Sequence, residues 1–307
     1  MKPWIIVVIA ISAFIILMIC FVVLYAKIGA NKLTALMVHP HYKERKAHQI
    51  ALEFETKHPE YKEMPREDFE LTLKDGYTIH GDISINNPKK VMIVAHGHGS
   101  TREGMMKYAY LYFKKGYTII LYDQRGHGDN VRVPCTAGDQ ESKDFIEMVD
   151  FAYEKFGKDI SLSAAGTSMG AVTILLSLEY HPKLTFIIVD CPFASLAIFA
   201  LKYTRKYHAD RRLVLFFINR LLKKKYHTCL DNTDAIKRVK ENEIPTLFIH
   251  GQLDELIPVE HSYLLYDANK GPKEHKIFPK GTHGHSVDSD PEGYKKVVYD
   301  FIDRYEK

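Results

Sequence analysis

Hydrophobic positions fall along the chain in three regimes. From Trp4 to Ala26 the run is uncharged and apolar, broken only by Ser12 and Cys20. From 27 to 64 the sequence is polar and helix-prone, punctuated by Pro40, Pro59 and Pro65. Beyond that, short apolar runs alternate with amphipathic stretches. Phe69–Leu73 alternates as a half-buried strand should, Asp75-Gly76 turns it, and Tyr77–Ile83 answers it, which predicts an antiparallel opening hairpin. Val91–Ala95, Tyr117–Tyr122, Thr185–Val189 and Pro245–Ile249 are continuous apolar runs of the kind found in central parallel strands. Asp159–Ser163 and Lys276–Phe278 read as two further short strands. Helices are expected over 103–115, 141–156, 171–178 and 291–305. Strands alternating with helices imply an α/β fold, a mostly parallel sheet covered on both faces. Polar clusters recur at the carboxyl ends of the strands, where open α/β sheets bind ligands.

The first run, at about 1.5 Å per residue, reaches roughly 34 Å against a hydrocarbon core of about 30 Å. Trp4 and Tyr25 stand where interfacial aromatics belong. A cleaved signal peptide would be shorter and would end in an Ala-x-Ala-like site. The run therefore predicts an uncleaved anchor over 1–26, a juxtamembrane stalk and helix over 27–67, and one large domain over 68–307. Lys27, Lys32, Lys43, Arg45 and Lys46 outnumber Lys2, so the positive-inside tendency puts the domain in the cytoplasm. A short tail before a Sec-dependent anchor favours the opposite side, and both remain open.

One block breaks the alternation. Residues 195–240 are too long for a simple crossover and read as a helical lid with Leu213–Ile218 as its apolar centre. It carries twelve Lys and Arg against three Asp. Beside a bilayer, such a block is expected to contact anionic lipid. The whole chain is only mildly basic, with a net charge of +4 over 307 residues, which does not argue for nucleic acid. Four cysteines without regular spacing make no disulfide framework, although one bridge is allowed.

The chemistry centres on Gly166-Thr167-Ser168-Met169-Gly170, between a strand and an apolar helix. That is the context of a nucleophile elbow. Side chains at Gly166 or Gly170 would collide with the adjoining elements, and the turn would aim the Met169 amide at a developing oxyanion. An ordinary βα turn with a capping serine uses the same residues.

Five motifs share one order. They are His96-Gly97-His98-Gly99, Asp123-Gln124-Arg125-Gly126-His127-Gly128, the elbow, the His250-Gly251-Gln252-Leu253-Asp254 loop and a late histidine. This order resembles the α/β-hydrolase superfamily from about residue 68 to 305. Asp190-Cys191-Pro192-Phe193 and Asp290-Pro291-Glu292-Gly293-Tyr294 look like the bacterial membrane-anchored or secreted serine hydrolases of the esterase and serine-aminopeptidase-like branch. The resemblance implies Ser168 as nucleophile, Asp254 as the acid and a histidine base, with the His98 and Met169 amides as the oxyanion hole. Glu255 is the nearest rival acid.

His283 and His285 compete for the base. Counting back from Asp290-Pro291, and forward to Ser286, selects His283. In an extended loop the two would point in opposite directions. Asp123–Gly128, Glu141 and Asp144 are expected to be structural. A metal reading of His96 and His98 lacks a partnering cluster, and no cofactor is implied. The expected activity is hydrolysis of a small-molecule ester through an acyl-enzyme. An aminopeptidase-like activity is the alternative, and a catalytically silent binding module is the alternative from another class.

Overall fold

The computed structural model describes residues 2–39, 44–46, 49, 52–53, 55–56, 59–206 and 210–306. Much of the expected stalk, including Pro40 and Lys43, lies outside the described residues. Eight strands form one sheet: β1 Glu67–Thr72, β2 Thr78–Ser84, β3 Lys90–Ala95, β4 Thr118–Tyr122, β5 Ser161–Thr167, β6 Ile187–Asp190, β7 Thr246–Gly251 and β8 Lys273–Phe278. Their order is β1-β2-β4-β3-β5-β6-β7-β8. β2 runs antiparallel to both β1 and β4, and every other pairing is parallel.

Alternation along β3 supplies both faces of the sheet. Val91, Ile93 and Ala95 point into one core, Met92 and Val94 into the other. The second core is covered by α2 (Met106–Lys114) and α9 (Pro291–Tyr305). The first is covered by α3 (Asp139–Phe156), α4 (Met169–Ser177), α7 (Ala235–Val239) and α8 (Glu260–Ala268). Most elements start and stop near the predicted positions. Helix 103–115 begins as a 3-10 turn at Arg102–Met105, and β5 runs on to Thr167, directly into the elbow.

The amino-terminal helix runs on past the expected end of the apolar run. α1 spans Pro3–Val38 without a break and so passes well beyond Ala26. Ala26, Ala30, Leu33, Thr34, Met37 and Val38 are buried on the domain. This spacing of three and four residues puts them on one stripe. Cys135 bonds the end of the helix through its amide to Val38 O at 3.1 Å and its thiol to Met37 O at 3.1 Å. Residues 27–38 thus continue α1 as a helix packed on the domain, within the span expected to hold a stalk and a helix.

The 195–240 block holds α5 (Leu196–Lys206) and α6 (Arg211–Tyr226). Asp210 caps α6 by accepting Leu213 N at 2.9 Å. Val214, Ile218 and Leu222 form its buried stripe. Thr228 and Asn232 tie the block to Asp139 of α3, at 2.6 and 2.9 Å. No disulfide joins the four cysteines, all of which are among the described residues.

Candidate active site

Ser168 sits between β5 and α4 with φ +52° and ψ −118°. A non-glycine residue held there stores on the order of 1–3 kcal/mol of strain, which the surroundings must impose. They do so by close approach. A Cβ on Gly170 would fall 2.2 Å from Ala95 O, and one on Gly166 2.7 Å from Gly170 C. From the other side the Ser168 amide donates to Asp190 O at 2.8 Å. Helix α4 packs on β3 and β5 at the tightest separation backbones allow, and the serine is lifted from the sheet.

His283 Nε2 lies 3.0 Å from Ser168 Oγ, and its Nδ1 lies 2.7 Å from Asp254 Oδ2. An ionised carboxylate only accepts, so Nδ1 carries the proton and Nε2 faces the serine hydroxyl as an acceptor. Asp254 has no exposed side-chain surface, while His283 keeps 22%. Asp254 Oδ1 accepts the amides of Leu256 and Ile257 at 2.9 and 2.8 Å. Burial alone would raise its pKa. Hydrogen bonds from His250, His283 and the Ile257 amide outweigh burial and hold the carboxyl well below its usual range. Asp254 does not cap α8, which begins at Glu260 behind Val259. Glu255 is exposed.

His285 points elsewhere, with Nδ1 on Asp288 Oδ2 at 2.6 Å and 52% of its side chain exposed. The loop is not extended as the sequence argument assumed. His285 N bonds Thr282 O at 3.1 Å, and Gly284 takes φ +68°, so a tight turn separates the two rings. Lys107 holds this turn through Gly284 O at 3.2 Å and Asp288 at 2.6 Å. The acid loop is stitched to the histidine loop by Leu253 N to Gly281 O at 2.9 Å.

The loop after β3 lies over the nucleophile. A Cβ on Gly97 would stand 3.2 Å from Ser168 Cβ. Met169 opens α4, and the first amides of a helix have no intrahelical acceptor. An oxyanion near Ser168 would therefore lie between the Met169 amide and the His96–Gly99 loop.

His96 is buried and spent. It donates from Nδ1 to Gly97 O at 2.8 Å and accepts Gln124 N on Nε2 at 2.8 Å, which leaves neither nitrogen for a metal. Gln124 in turn accepts Thr173 Oγ1 from α4 at 2.8 Å. His127 Nε2 accepts Gly99 N at 3.2 Å, and its ring meets those of His96 and His98 edge-on. The Asp123–Gly128 turn is a brace: Arg102 bridges Asp123 and Asp129, and Arg125 forks onto Asp144 with both bonds at 2.8 Å. Glu141 accepts the amides of Thr136 and Gly138 at 2.8 and 2.9 Å. Asp123, Asp144 and Glu141 are structural in this arrangement.

Two neighbours were not singled out in the sequence. His250 is fully buried, with Nε2 shared between Ile257 O at 2.9 Å and Asp254 Oδ2 at 3.2 Å. It opens the loop motif that ends in Asp254, and that spacing is its only sequence signal. Cys191, at φ +47°, brings its thiol within 4.8 Å of the Asp254 carboxylate and the His283 ring. These three are the one group of metal-ligand type among the described residues. Their arrangement favours protons over a metal, because Asp254 and His283 already bond each other and burial pushes the Cys191 thiol up.

A serine, imidazole and carboxylate in this sequence of contacts can pass the hydroxyl proton to Nε2 while Nδ1 stays bonded to the acid. Known proteins resemble this chain in sequence and in fold. The family model for serine aminopeptidase, S33, matches residues 86–230, which include the His96–Gly99 loop and the elbow but neither Asp254 nor His283. The chain is 28% identical over 250 residues to the protein YqkD of Bacillus subtilis, covering 79% of this chain and 81% of that one. It is 24% identical over 251 residues to the membrane protein YNL320W of Saccharomyces cerevisiae, covering 80% and 82%. The Pyrococcus furiosus esterase Pf2001 superposes with a TM-score of 0.65 at 23% identity, over 81% of this chain and 96% of that one. The chain has the α/β-hydrolase fold, and its residues 86–230 match the model of the serine aminopeptidase, S33, family.

Proposed function

We propose that the protein is a membrane-anchored serine hydrolase that cleaves carboxylic esters of small molecules through an acyl-enzyme. The observation that carries this reading is the continuous Ser168–His283–Asp254 relay, at 3.0 and 2.7 Å. Ser168 Oγ attacks the ester carbonyl as His283 Nε2 takes its proton. Asp254 keeps the imidazole in the productive tautomer and stabilises the imidazolium. The amides of Met169 and His98 bind the oxyanion, a contribution of about 3–4 kcal/mol per donor in well-developed sites. The imidazolium returns its proton to the leaving alcohol. Water, deprotonated by the same imidazole, then releases the acid and frees Ser168. No cofactor takes part.

The anchor is the apolar part of α1, which is long and apolar enough to cross a bilayer. The 195–240 insertion is the lid in this reading. An aminopeptidase would need a free lid carboxylate to hold the substrate amine. The three lid aspartates are engaged: Asp210 and Asp234 cap helices, and Asp231 pairs with Lys237. This favours an ester over a peptide amine.

A fluorophosphonate probe should label the wild-type protein at Ser168 and leave Ser168→Ala unlabelled. The variant should lose hydrolysis of p-nitrophenyl acetate by up to the order of 10⁶ in kcat. Wild-type protein that resists the probe would identify a silent binding module, and a variant within tenfold of wild type would remove Ser168 from the chemistry.

A further inference from the structure

A cleft of about 720 Å³ lies between the amino-terminal helix and the insertion. One wall is Met18, Ile19, Val22 and Val23 of α1, and the other is Leu213 and Phe216 of α6. Asp210 and Arg212 also line it. The two helices run in the same direction: the start of α6 faces residues 18–23, and Tyr226 at its end meets His39, with ring centroids 6.2 Å apart. Below the cleft the pair is packed through Ala26, Ala30 and Leu33 on one side and Val214, Ile218 and Leu222 on the other.

The α1 wall belongs to the apolar run that ends at Ala26, just before Lys27. At about 1.5 Å per residue, Met18–Val23 lie about 5–12 Å inward from Ala26 along the helix. Whatever immerses that run immerses the cleft. Phe216, which is 57% exposed, then faces acyl chains rather than water. Arg211 and Arg212, exposed in the first turn of α6, lie one turn inward of Phe216, and their side chains are long enough to carry the charges outward past it toward phosphate level. The Asp210 carboxylate is turned back to cap the helix at Leu213 N, 2.9 Å away.

We propose that this cleft binds one anionic phospholipid of the surrounding leaflet. One acyl chain lies between Val22 and Phe216, and the phosphate sits on Arg212 with Arg211 beside it. The site rests on the reading of α1 as a membrane anchor. It makes α6 a helix sunk into the leaflet at its first turn, so the insertion is held to the bilayer at a second point.

Trp4 is the only tryptophan, so its fluorescence reports the span in the wild type, and Trp4→Phe/Phe216→Trp moves the reporter to the cleft. Both full-length proteins are reconstituted in phosphatidylglycerol vesicles with and without bromine on the acyl chains. Quenching of at least twofold by brominated lipid is expected in both. An unquenched, red-shifted emission from the Phe216→Trp variant, with Trp4 still quenched in the wild type, would overturn the cleft site and leave the anchor standing. Unquenched Trp4 would overturn the anchor and the site with it. Native mass spectrometry tests the headgroup. Wild type should retain one phosphatidylglycerol in preference to phosphatidylcholine, and Arg211→Glu/Arg212→Glu should lower that retention at least tenfold. Equal retention of the two lipids, or retention unchanged in the variant, would refute the phosphate contact.

Discussion

At the scale of single residues, the two histidines near the carboxyl end carry a sharp contrast. His283 bridges Asp254 and Ser168, while His285 braces its own loop through Asp288. His283→Ala should abolish acylation of Ser168. His285→Ala should leave turnover within about tenfold, or ~1.4 kcal/mol of barrier. Rates of fluorophosphonate labelling separate the two, and the opposite ranking would move the base to His285. A second residue-level expectation concerns pH. His96 accepts Gln124 N and His261 accepts Ala194 N at 2.9 Å, so both rings are neutral in the fold. Burial pushes each pKa down to about 4. An unfolded imidazole titrates near 6.5, so between about pH 6.5 and 4 the unfolded chain takes up protons that the fold refuses, and stability is lost as acid is added. Buried carboxyls such as Asp123 and Asp190 are pushed up and act in the opposite direction. A comparison with His96→Gln isolates the ring. The variant's deficit at pH 7 should shrink by about 2 kcal/mol at pH 5, measured by urea titration. A constant deficit would show that His96 is protonated in the fold.

The positions of Ser168, Asp254 and His283 were readable because each is tied to a motif at a strand end. The choice of His283 came from spacing to Asp290-Pro291. The loop between His283 and His285 is not extended, because Gly284 turns the chain. His250 was in plain view beside Asp254, but its role as a second donor to that carboxylate depends on the loop folding back through Ile257, which no local pattern encodes.

At the scale of elements, the strands and most helices were legible because burial on both sheet faces writes continuous apolar runs. The end of α1 was not. Its buried stripe, Ala26, Ala30, Leu33 and Met37, has helical spacing, but small and polar neighbours dilute it, and its partner α6 lies far along the chain. This packing predicts how the chain tolerates truncation. Protein beginning at Lys27 keeps Leu33, Met37 and Val38 and should fold. Protein beginning at His39 loses them and bares Val214, Ile218 and Leu222. Losing three such side chains costs on the order of 5 kcal/mol, comparable to the whole stability of a domain. Thermal melts of the two fragments test this, and equal midpoints would show that α1 contributes nothing to the core.

At the scale of the whole molecule, the apolar part of α1 and the catalytic domain form one continuous piece. Full-length protein should stay in the membrane pellet through a high-pH carbonate wash and need detergent for extraction, while protein starting at Lys27 should be soluble. Release by carbonate alone would contradict a spanning helix. Because α1 crosses from its apolar run into the core without a hinge, it is a strut rather than a leash. A domain on a flexible tether sweeps a hemisphere and presents its catalytic mouth in every direction. Anchored through α1 as proposed, this one would keep a single height and a single bearing above the lipid. Its encounters with substrate are filtered by direction of approach before any pocket is reached, and a helix-breaking insertion at residue 27 would remove that filter while leaving the chemistry of Ser168 intact.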